Sequence, residues 1–288
     1  MRNTAHLFGG IAVVLCFVAA TAQGQTIVTL GSGFQYPEGI AVDASGNVFV
    51  TDGNNHAVKE ILAAGGYTTT QTVITDAAPD GVAVDSAGNL YVVDGNASSV
   101  KKYTAASGYA TSQNLGSMFG YPFAVGLDST NNVYVADLNA TTIKRVTAAG
   151  GYATVTALGS GFAYPSGVAV DAAGNIFVGD YANNAVKEIV APGYTTINTL
   201  GSGFSGPSGV AVDGSGNVYV ADYGNNAVKK ILAAGGYTTV VSIGSGFDSP
   251  TDVDVDAAGN VFVTDSGHNA VKEILAMTPV TLQSFSVD

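Results

Sequence analysis

The sequence predicts an all-β fold: a six-bladed β-propeller built from four-stranded antiparallel blades. A motif that opens with proline recurs six times, every 42 or 43 residues, and this period is typical of four-stranded propeller blades. Each repeat also contains four short apolar segments separated by glycine-rich turns. The blade-opening prolines are Pro37, Pro79, Pro122, Pro165, Pro207 and Pro250.

The elements follow one order in each repeat, as residues 207–243 illustrate. "GVAVD" is the first strand, and its small residues suit the crowded centre of a propeller. "GSGN" supplies the glycine that a tight turn needs, and "VYV" is the second strand. "YGNN" forms the next turn, "AVKKI" is the third strand, and the apolar run after "AAGGY" is the fourth.

The ends of the chain predict how the ring closes. The sixth repeat loses the pattern after residue 274 and lacks a fourth strand, whereas "TIVTLGSGF" at 26–34 is a fourth strand without a blade. We therefore expect the N-terminal strand to complete the last blade. The alternative is "TPVTLQSF" at 278–285, but its Pro279 suits only an edge position.

The first residues have the layout of an export signal. An apolar run over 7–20 follows Arg2 and is itself followed by an A-x-A site, which predicts a signal peptide over 1–22 cleaved after Ala22. The propeller is then expected over 23–277 and a C-terminal tail over 278–288. The single cysteine, Cys16, lies within the signal, so the mature chain has no thiol. The predicted signal peptide indicates a secreted, periplasmic or cell-surface protein.

The charge of the chain excludes some partners. The sequence contains 10 basic and 22 acidic residues, and its formal net charge is −12. Because a negative surface repels phosphate backbones and anionic lipids, we expect neither nucleic-acid binding nor membrane insertion after signal cleavage. We expect a monomer.

The repeated motif resembles a known family. "P-x-G-[IV]-A-V-D-x-x-G-N-[VI]-[FY]-V-x-D-x-x-N-x-A-V-K" resembles the NHL repeat over nearly all of residues 26–275. It is most similar to extracellular bacterial NHL propellers, such as the sensor domains of receptor kinases. The resemblance implies a six-bladed propeller that binds or displays other molecules.

Residues that recur in every blade are expected to be structural. An Asp ends both the first and the second strand of each repeat, where its carboxylate can accept N–H groups of a turn. The nine basic residues outside the signal all fall on third strands, which predicts a ring of charges around the rim. A residue repeated six times cannot be a unique catalyst, and no catalytic residue is predicted.

Positions at which the repeats differ are better functional candidates. The position after each blade-opening proline lies at the channel mouth, and there Glu38 and Asp80 are acidic; in the sixth blade Asp252 and Asp254 replace Gly and Ala. Converging carboxylates raise one another's pKa or bind a hard cation such as Ca²⁺. These four residues are the candidate metal ligands, although no cofactor is required by the sequence.

A second resemblance concerns the same residues. "PDGVAVDSAGNLYV" at 79–92 resembles gluconolactonase-like propellers, in which Glu, Asn and Asp near the channel mouth hold a divalent metal for lactone hydrolysis. Glu38 and Asp80 match two of these roles, and no Asn occupies the equivalent position of another repeat. The resemblance implies a metal-dependent lactonase or hydrolase as the alternative function.

Tyrosines are expected to gather on the same face. They precede the blade-opening proline or follow the Asp that ends the second strand: Tyr36, Tyr121, Tyr164, Tyr181 and Tyr223. Exposed tyrosines over an acidic funnel suit a protein, peptide or carbohydrate. The alternative is that they seal neighbouring blades. We therefore predict an exported, non-catalytic binding or scaffold module that uses this face.

Overall fold

The predicted architecture is confirmed by a computed structural model, which describes residues 25–75 and 78–276. Six four-stranded antiparallel sheets follow one another around a central channel. The remaining elements are short 3₁₀ turns, and no helix in the described ranges is long and apolar enough to cross a membrane. The expected signal peptide and C-terminal tail lie outside the described residues.

Each blade takes four strands, numbered here in chain order. Blade one contains β2 (Pro37–Val42), β3 (Val48–Asp52), β4 (Ala57–Leu62) and β5 (Thr69–Ile74). Blade two contains β6 (Val82–Val84), β7 (Leu90–Asp94), β8 (Ser99–Tyr103) and β9 (Ser112–Asn114). Blade three contains β10 (Pro122–Leu127), β11 (Val133–Asp137), β12 (Ile143–Thr147) and β13 (Thr154–Leu158). Blade four contains β14 (Pro165–Val170), β15 (Ile176–Asp180), β16 (Ala185–Ile189) and β17 (Ile197–Leu200). Blade five contains β18 (Pro207–Val212), β19 (Val218–Asp222), β20 (Ala227–Leu232) and β21 (Thr239–Ile243). Blade six contains β22 (Pro250–Val255), β23 (Val261–Asp265), β24 (Ala270–Ile274) and the N-terminal β1 (Ile27–Leu30).

The N-terminal strand closes the ring, as the sequence predicts. Strand β1 pairs antiparallel with β24, so that Ile27 lies opposite Ile274 and Leu30 lies opposite Val271. Leu30 is 1% exposed and packs between blades one and six. The outer position of blade six is therefore occupied by β1. The alternative strand at 278–285 lies outside the described residues.

The apolar core lies between neighbouring blades rather than within one. Phe49 of blade one, for example, packs in one cluster with Val82 and Leu90 of blade two. Similar clusters join the other neighbours around the ring. Because each sheet buries both faces against adjacent sheets, the second strands are buried along their whole length.

First strands lie closest to the axis and approach one another through glycine. A Cβ on Gly39 would lie 2.8 Å from the carbonyl oxygen of Asp80 in the next blade. A Cβ on Gly81 would lie 2.6 Å from the carbonyl oxygen of Phe123. The glycine of the "P-x-G" motif is therefore required by backbone contact between inner strands.

The lysines of the third strand do not form the solvent-facing ring that the sequence suggested. Lys229 pairs with the buried Asp222 of the neighbouring strand at 2.5 Å and lies 5.3 Å from the ring centroid of Phe204. The same Asp–Lys–Phe unit recurs in four other blades: Asp52–Lys59–Phe34, Asp137–Lys144–Phe119, Asp180–Lys187–Phe162 and Asp265–Lys272–Phe247. These lysines also hold the loop that enters the blade, because their ammonium groups donate to one of its carbonyl oxygens, as Lys229 Nζ does to that of Gly203 at 2.5 Å.

The two repeated aspartates have different partners. The Asp after the first strand caps its own turn: Asp213 Oδ1 accepts the N–H groups of Ser215 and Asn217, both at 2.9 Å. The Asp at the end of the second strand instead reaches the loop before the first strand, since Asp222 Oδ1 accepts the Ser205 N–H at 2.7 Å. The repeated acids are therefore structural.

Candidate functional site

Three repeated positions build one face of the propeller. Pro37 lies opposite Asp52 in the β2–β3 register, so the start of each first strand and the end of each second strand meet at the same end of the blade. The residues before and after the proline, and the residue after the Asp, therefore point to a common opening of the channel. We call this side the loop face.

The loop face carries a cavity of about 480 Å³. This volume lies within the range of small-ligand sites, about 300–1,000 Å³. Its lining comes almost entirely from the three repeated positions: Tyr36, Phe123, Leu138, Tyr164, Ser166, Tyr181, Ala182, Ser208, Tyr223 and Thr251. Four of the five tyrosines singled out in the sequence are thus brought together in one place. We refer to it as the tyrosine cavity.

The tyrosines of the cavity are partly exposed and are held in position. Tyr181 and Tyr223 contact each other with ring centroids 6.2 Å apart and planes inclined by 57°. Tyr36 is 37% and Tyr164 is 57% exposed, which is unusual for large side chains in this fold. The Tyr36 N–H donates to Asn269 Oδ1 at 2.7 Å, so its backbone is fixed by blade six.

Tyr121 lies outside the tyrosine cavity. A Cβ placed on Gly95 would overlap the Tyr121 ring, so the ring occupies the space that the absent side chain leaves. It hydrogen-bonds with Asp80. Tyr121 therefore packs against blade two, which fits the alternative prediction that a tyrosine seals neighbouring blades.

A pair of acids lies at the inner end of the tyrosine cavity. Glu38 and Asp80 line a constriction of the channel, and the walls of this constriction share Phe123, Ser166 and Thr251 with the cavity. Glu38 packs over Gly53, where a Cβ would lie 3.2 Å from its Oε1.

The two carboxyl groups are hydrogen-bonded to each other and titrate at unusual pH. Burial, followed by the charge of Asp80 and the hydrogen bond to it, raises the pKa of Glu38 to about 8. Burial also raises the pKa of Asp80 to about 6, against hydrogen bonds from the Gly95 N–H, Glu38 and Tyr121. Near neutral pH the pair therefore holds a proton and carries less than its full charge.

Asp252 and Asp254 lie deeper, on the wall of the channel. Asp252 Oδ2 accepts the Ile40 N–H at 3.1 Å, and Asp254 Oδ2 accepts the Val42 N–H at 2.8 Å. Burial raises the pKa of Asp252 to about 8 and that of Asp254 to about 6, despite these bonds. Both side chains thus join the first strand of blade six to that of blade one, at the junction where the ring closes.

The predicted metal ligands do not meet as one cluster. Glu38, Asp80 and Asp252 all line the constriction. Nevertheless, within residues 25–75 and 78–276, no three or more His, Cys, Asp or Glu side chains are arranged to hold a metal ion. The Oδ1 of Asp252 accepts the Val253 N–H and its Oδ2 accepts the Ile40 N–H, which leaves it a poor ligand. The Ca²⁺ hypothesis stays a prediction without a ligand cluster to support it.

Part of the apolar lining lies at a position that the sequence did not single out. Leu138 follows the Asp at the end of β11, the position that Tyr181 and Tyr223 occupy in blades four and five. The signal for Leu138 in the sequence is the variation at this position from one repeat to the next. The aromatic and apolar side chains of the lining thus come from blade one, through Tyr36, and from blades three to five, whereas the acid pair comes from blades one and two.

Six four-stranded blades around a channel whose mouth widens into an aromatic cavity define a six-bladed β-propeller. The chain belongs to the virginiamycin B lyase family, whose profile matches residues 23–287. The propeller implied by the NHL resemblance is confirmed, whereas the NHL name itself is not. No curated protein matches the chain.

Solved structures of low sequence identity share the fold. A catalytically inactive virginiamycin B lyase from Staphylococcus aureus, in complex with quinupristin, is 13% identical, has a TM-score of 0.61, and matches 84% of this chain and 80% of its own. A gluconolactonase from Xanthomonas campestris is 14% identical, has a TM-score of 0.72, and matches 86% and 88%. A protein of unknown function from Bacteroides thetaiotaomicron is 20% identical, has a TM-score of 0.71, and matches 87% and 75%. At these identities the likeness concerns the fold alone.

Proposed function

We propose that this protein is an exported, monomeric binding module that holds a protein, peptide or glycan in the tyrosine cavity without transforming it. The observation that carries the proposal is the gathering of Tyr36, Tyr164, Tyr181 and Tyr223 around one cavity. Three of these four rings are among the few large apolar side chains exposed in the described residues. Exposed aromatic rings that surround a concave site favour ligand binding over structure.

Substitution of the cavity tyrosines tests this proposal. Tyr164→Ala and Tyr181→Ala remove exposed rings and should leave the fold intact. Arrays of peptides and of glycans, probed with the wild-type protein, should show ligands whose binding the two substitutions weaken by about tenfold or more. Val241→Ala is the matched control, because Val241 is 39% exposed on the outer strand β21 of blade five, outside the cavity. Ligands that bind the wild type and both tyrosine variants equally would contradict the proposal.

A second candidate is an enzyme of the lyase or lactonase kind, and the Glu38–Asp80 pair favours it. A carboxyl group whose pKa lies near neutrality can act as a general acid or base. Turnover of gluconolactone and of quinupristin should be measured for the wild type and for Glu38→Gln combined with Asp80→Asn. A loss of about two orders of magnitude or more in kcat/KM would favour the enzyme. Absence of turnover in the wild type would speak against it.

A further inference from the structure

The walls and the inner end of the tyrosine cavity differ in character. Its walls are the rings of blades one, four and five with Phe123 and Leu138, and its inner end leads to the two carboxyl groups of Glu38 and Asp80. None of the side chains described as lining the cavity or the constriction is basic. An incoming ligand therefore meets apolar and π surface first and negative charge at the end.

The positive charges of the propeller are engaged elsewhere. The lysines of five third strands are each paired with a buried Asp and lie over a Phe ring, at the blade entry loops. They do not neutralise the acid pair. The formal net charge of −12 also gives the whole surface a negative field that attracts cations.

From this arrangement, and resting on the proposed binding function, we propose that the tyrosine cavity receives a lysine side chain presented by a peptide. The faces of aromatic rings attract ammonium groups, and the interaction strengthens when the cation is desolvated. The four methylenes of lysine would pack along the rings while its ammonium group reaches the Glu38–Asp80 pair. Charge complementarity thus selects lysine over a neutral side chain of the same length.

The groups that face the acid pair leave no competing cation among the described residues of the constriction. They are Tyr36 beside Glu38, Tyr121 and Asp94 beside Asp80, and Asp252 across the constriction. All are acids or phenols, so the ammonium group of a bound lysine meets no repulsion there. That ammonium group is charged at neutral pH, since its ordinary pKa is about 10.4.

The test uses two peptides that differ only in charge. Acetyl-Gly-Lys-Gly-amide and acetyl-Gly-norleucine-Gly-amide are titrated, at millimolar concentrations, into the protein carrying ¹³C-labelled tyrosine, in a buffer containing EDTA. Nuclear magnetic resonance then reports affinity and the tyrosines affected, with signals assigned by single Tyr→Phe variants. The lysine peptide should shift signals of the cavity tyrosines and bind about tenfold more tightly than the norleucine peptide.

The variants separate charge recognition from simple apolar binding. Glu38→Gln combined with Asp80→Asn preserves side-chain size and should reduce lysine affinity by about tenfold while leaving the affinity for the norleucine peptide unchanged. Glu60→Gln is the matched control, because Glu60 lies on β4 and is hydrogen-bonded to Gln71 outside the cavity. The affinity of the Glu60→Gln variant for the lysine peptide should match that of the wild type.

Several outcomes would overturn the inference. Equal affinity for the two peptides, or shifts confined to tyrosines outside the cavity, would each exclude lysine recognition. Maltotriose, titrated in the same way, serves as a neutral glycan probe. Binding of the norleucine peptide or of maltotriose, lost in Tyr181→Ala but unaffected by the acid-pair variant, would leave the proposed binding function standing without the lysine. Failure of every probe to bind would count against both.

Discussion

Gly81 shows how closely the first strands of neighbouring blades approach. A Cβ there would lie 2.6 Å from the Phe123 carbonyl oxygen, a distance that real side chains do not tolerate. Gly81→Ala should therefore lower the free energy of unfolding by about 1–3 kcal/mol, the usual cost of overpacking. Urea unfolding, monitored by circular dichroism, measures this change in the free energy of unfolding.

Gly214→Ala is the control for this substitution. No atom would lie within 4 Å of a Cβ at Gly214, and its φ is not in the left-handed region. The change should leave the unfolding free energy almost unaltered. An equal loss in both variants would show that close backbone contact is not the cause.

The residue scale also separates what the sequence could predict from what it could not. Glu38 and the four tyrosines of the cavity were found because they break a six-fold pattern at positions that the repeat places on one face. Tyr121 was predicted to line the same site, yet it fills the space above Gly95. Whether the Tyr121 ring packs over Gly95 or faces the cavity depends on the space that the neighbouring blade leaves at Gly95. The repeat pattern of the sequence does not specify that space.

At the scale of the strand pair, the buried Asp222–Lys229 contact links β19 to β20 and to the entry loop of blade five. Asp222 is fully buried, and its carboxylate also accepts the Ser205 N–H. Removing one partner leaves a buried charge without its counterion, which costs about 3–5 kcal/mol. Asp222→Asn and Lys229→Met should each show a loss of this size in urea unfolding, and the double variant should lose less than the sum.

The longer Asp213–Lys230 pair in the same blade provides the comparison. Its ammonium and carboxylate are 3.5 Å apart, and both side chains are more exposed. A double-mutant cycle should give a coupling of at most about 1 kcal/mol, as for surface pairs. Similar coupling in the two pairs would mean that burial does not set their strength.

The lysines also mark the limit of reading elements from sequence. Strand order, turn positions and the six-fold repeat followed from periodicity, and the structure confirms them. The positions of the lysine ammonium groups could not be predicted from this periodicity. Alternation along β20 specifies the face on which Lys229 lies. It does not specify that the Phe204 ring and the Asp222 carboxylate, which belong to other segments, approach the Lys229 ammonium group.

For the whole molecule, the strength of the ring depends on the one blade that is assembled from both ends of the described chain. Leu30 of β1 is 1% exposed, whereas Val28 of the same strand is 40% exposed. Leu30→Ala should lower the free energy of unfolding by about 2–5 kcal/mol, as for other buried leucines. Val28→Ala, measured in the same urea titration, should change it by less than about 0.5 kcal/mol. Equal effects would indicate that β1 is not packed into blade six.

The pairing of β1 with β24 also sets an order of events during synthesis. A ribosome makes β1 before any other strand of the propeller, yet its hydrogen-bonding partner, which includes Ile274, is made last. The strands of blades one to five can pair as the chain is synthesised, whereas β1 has no partner strand until β24 has been made. The first strand of the propeller to be translated is thus the last to be paired.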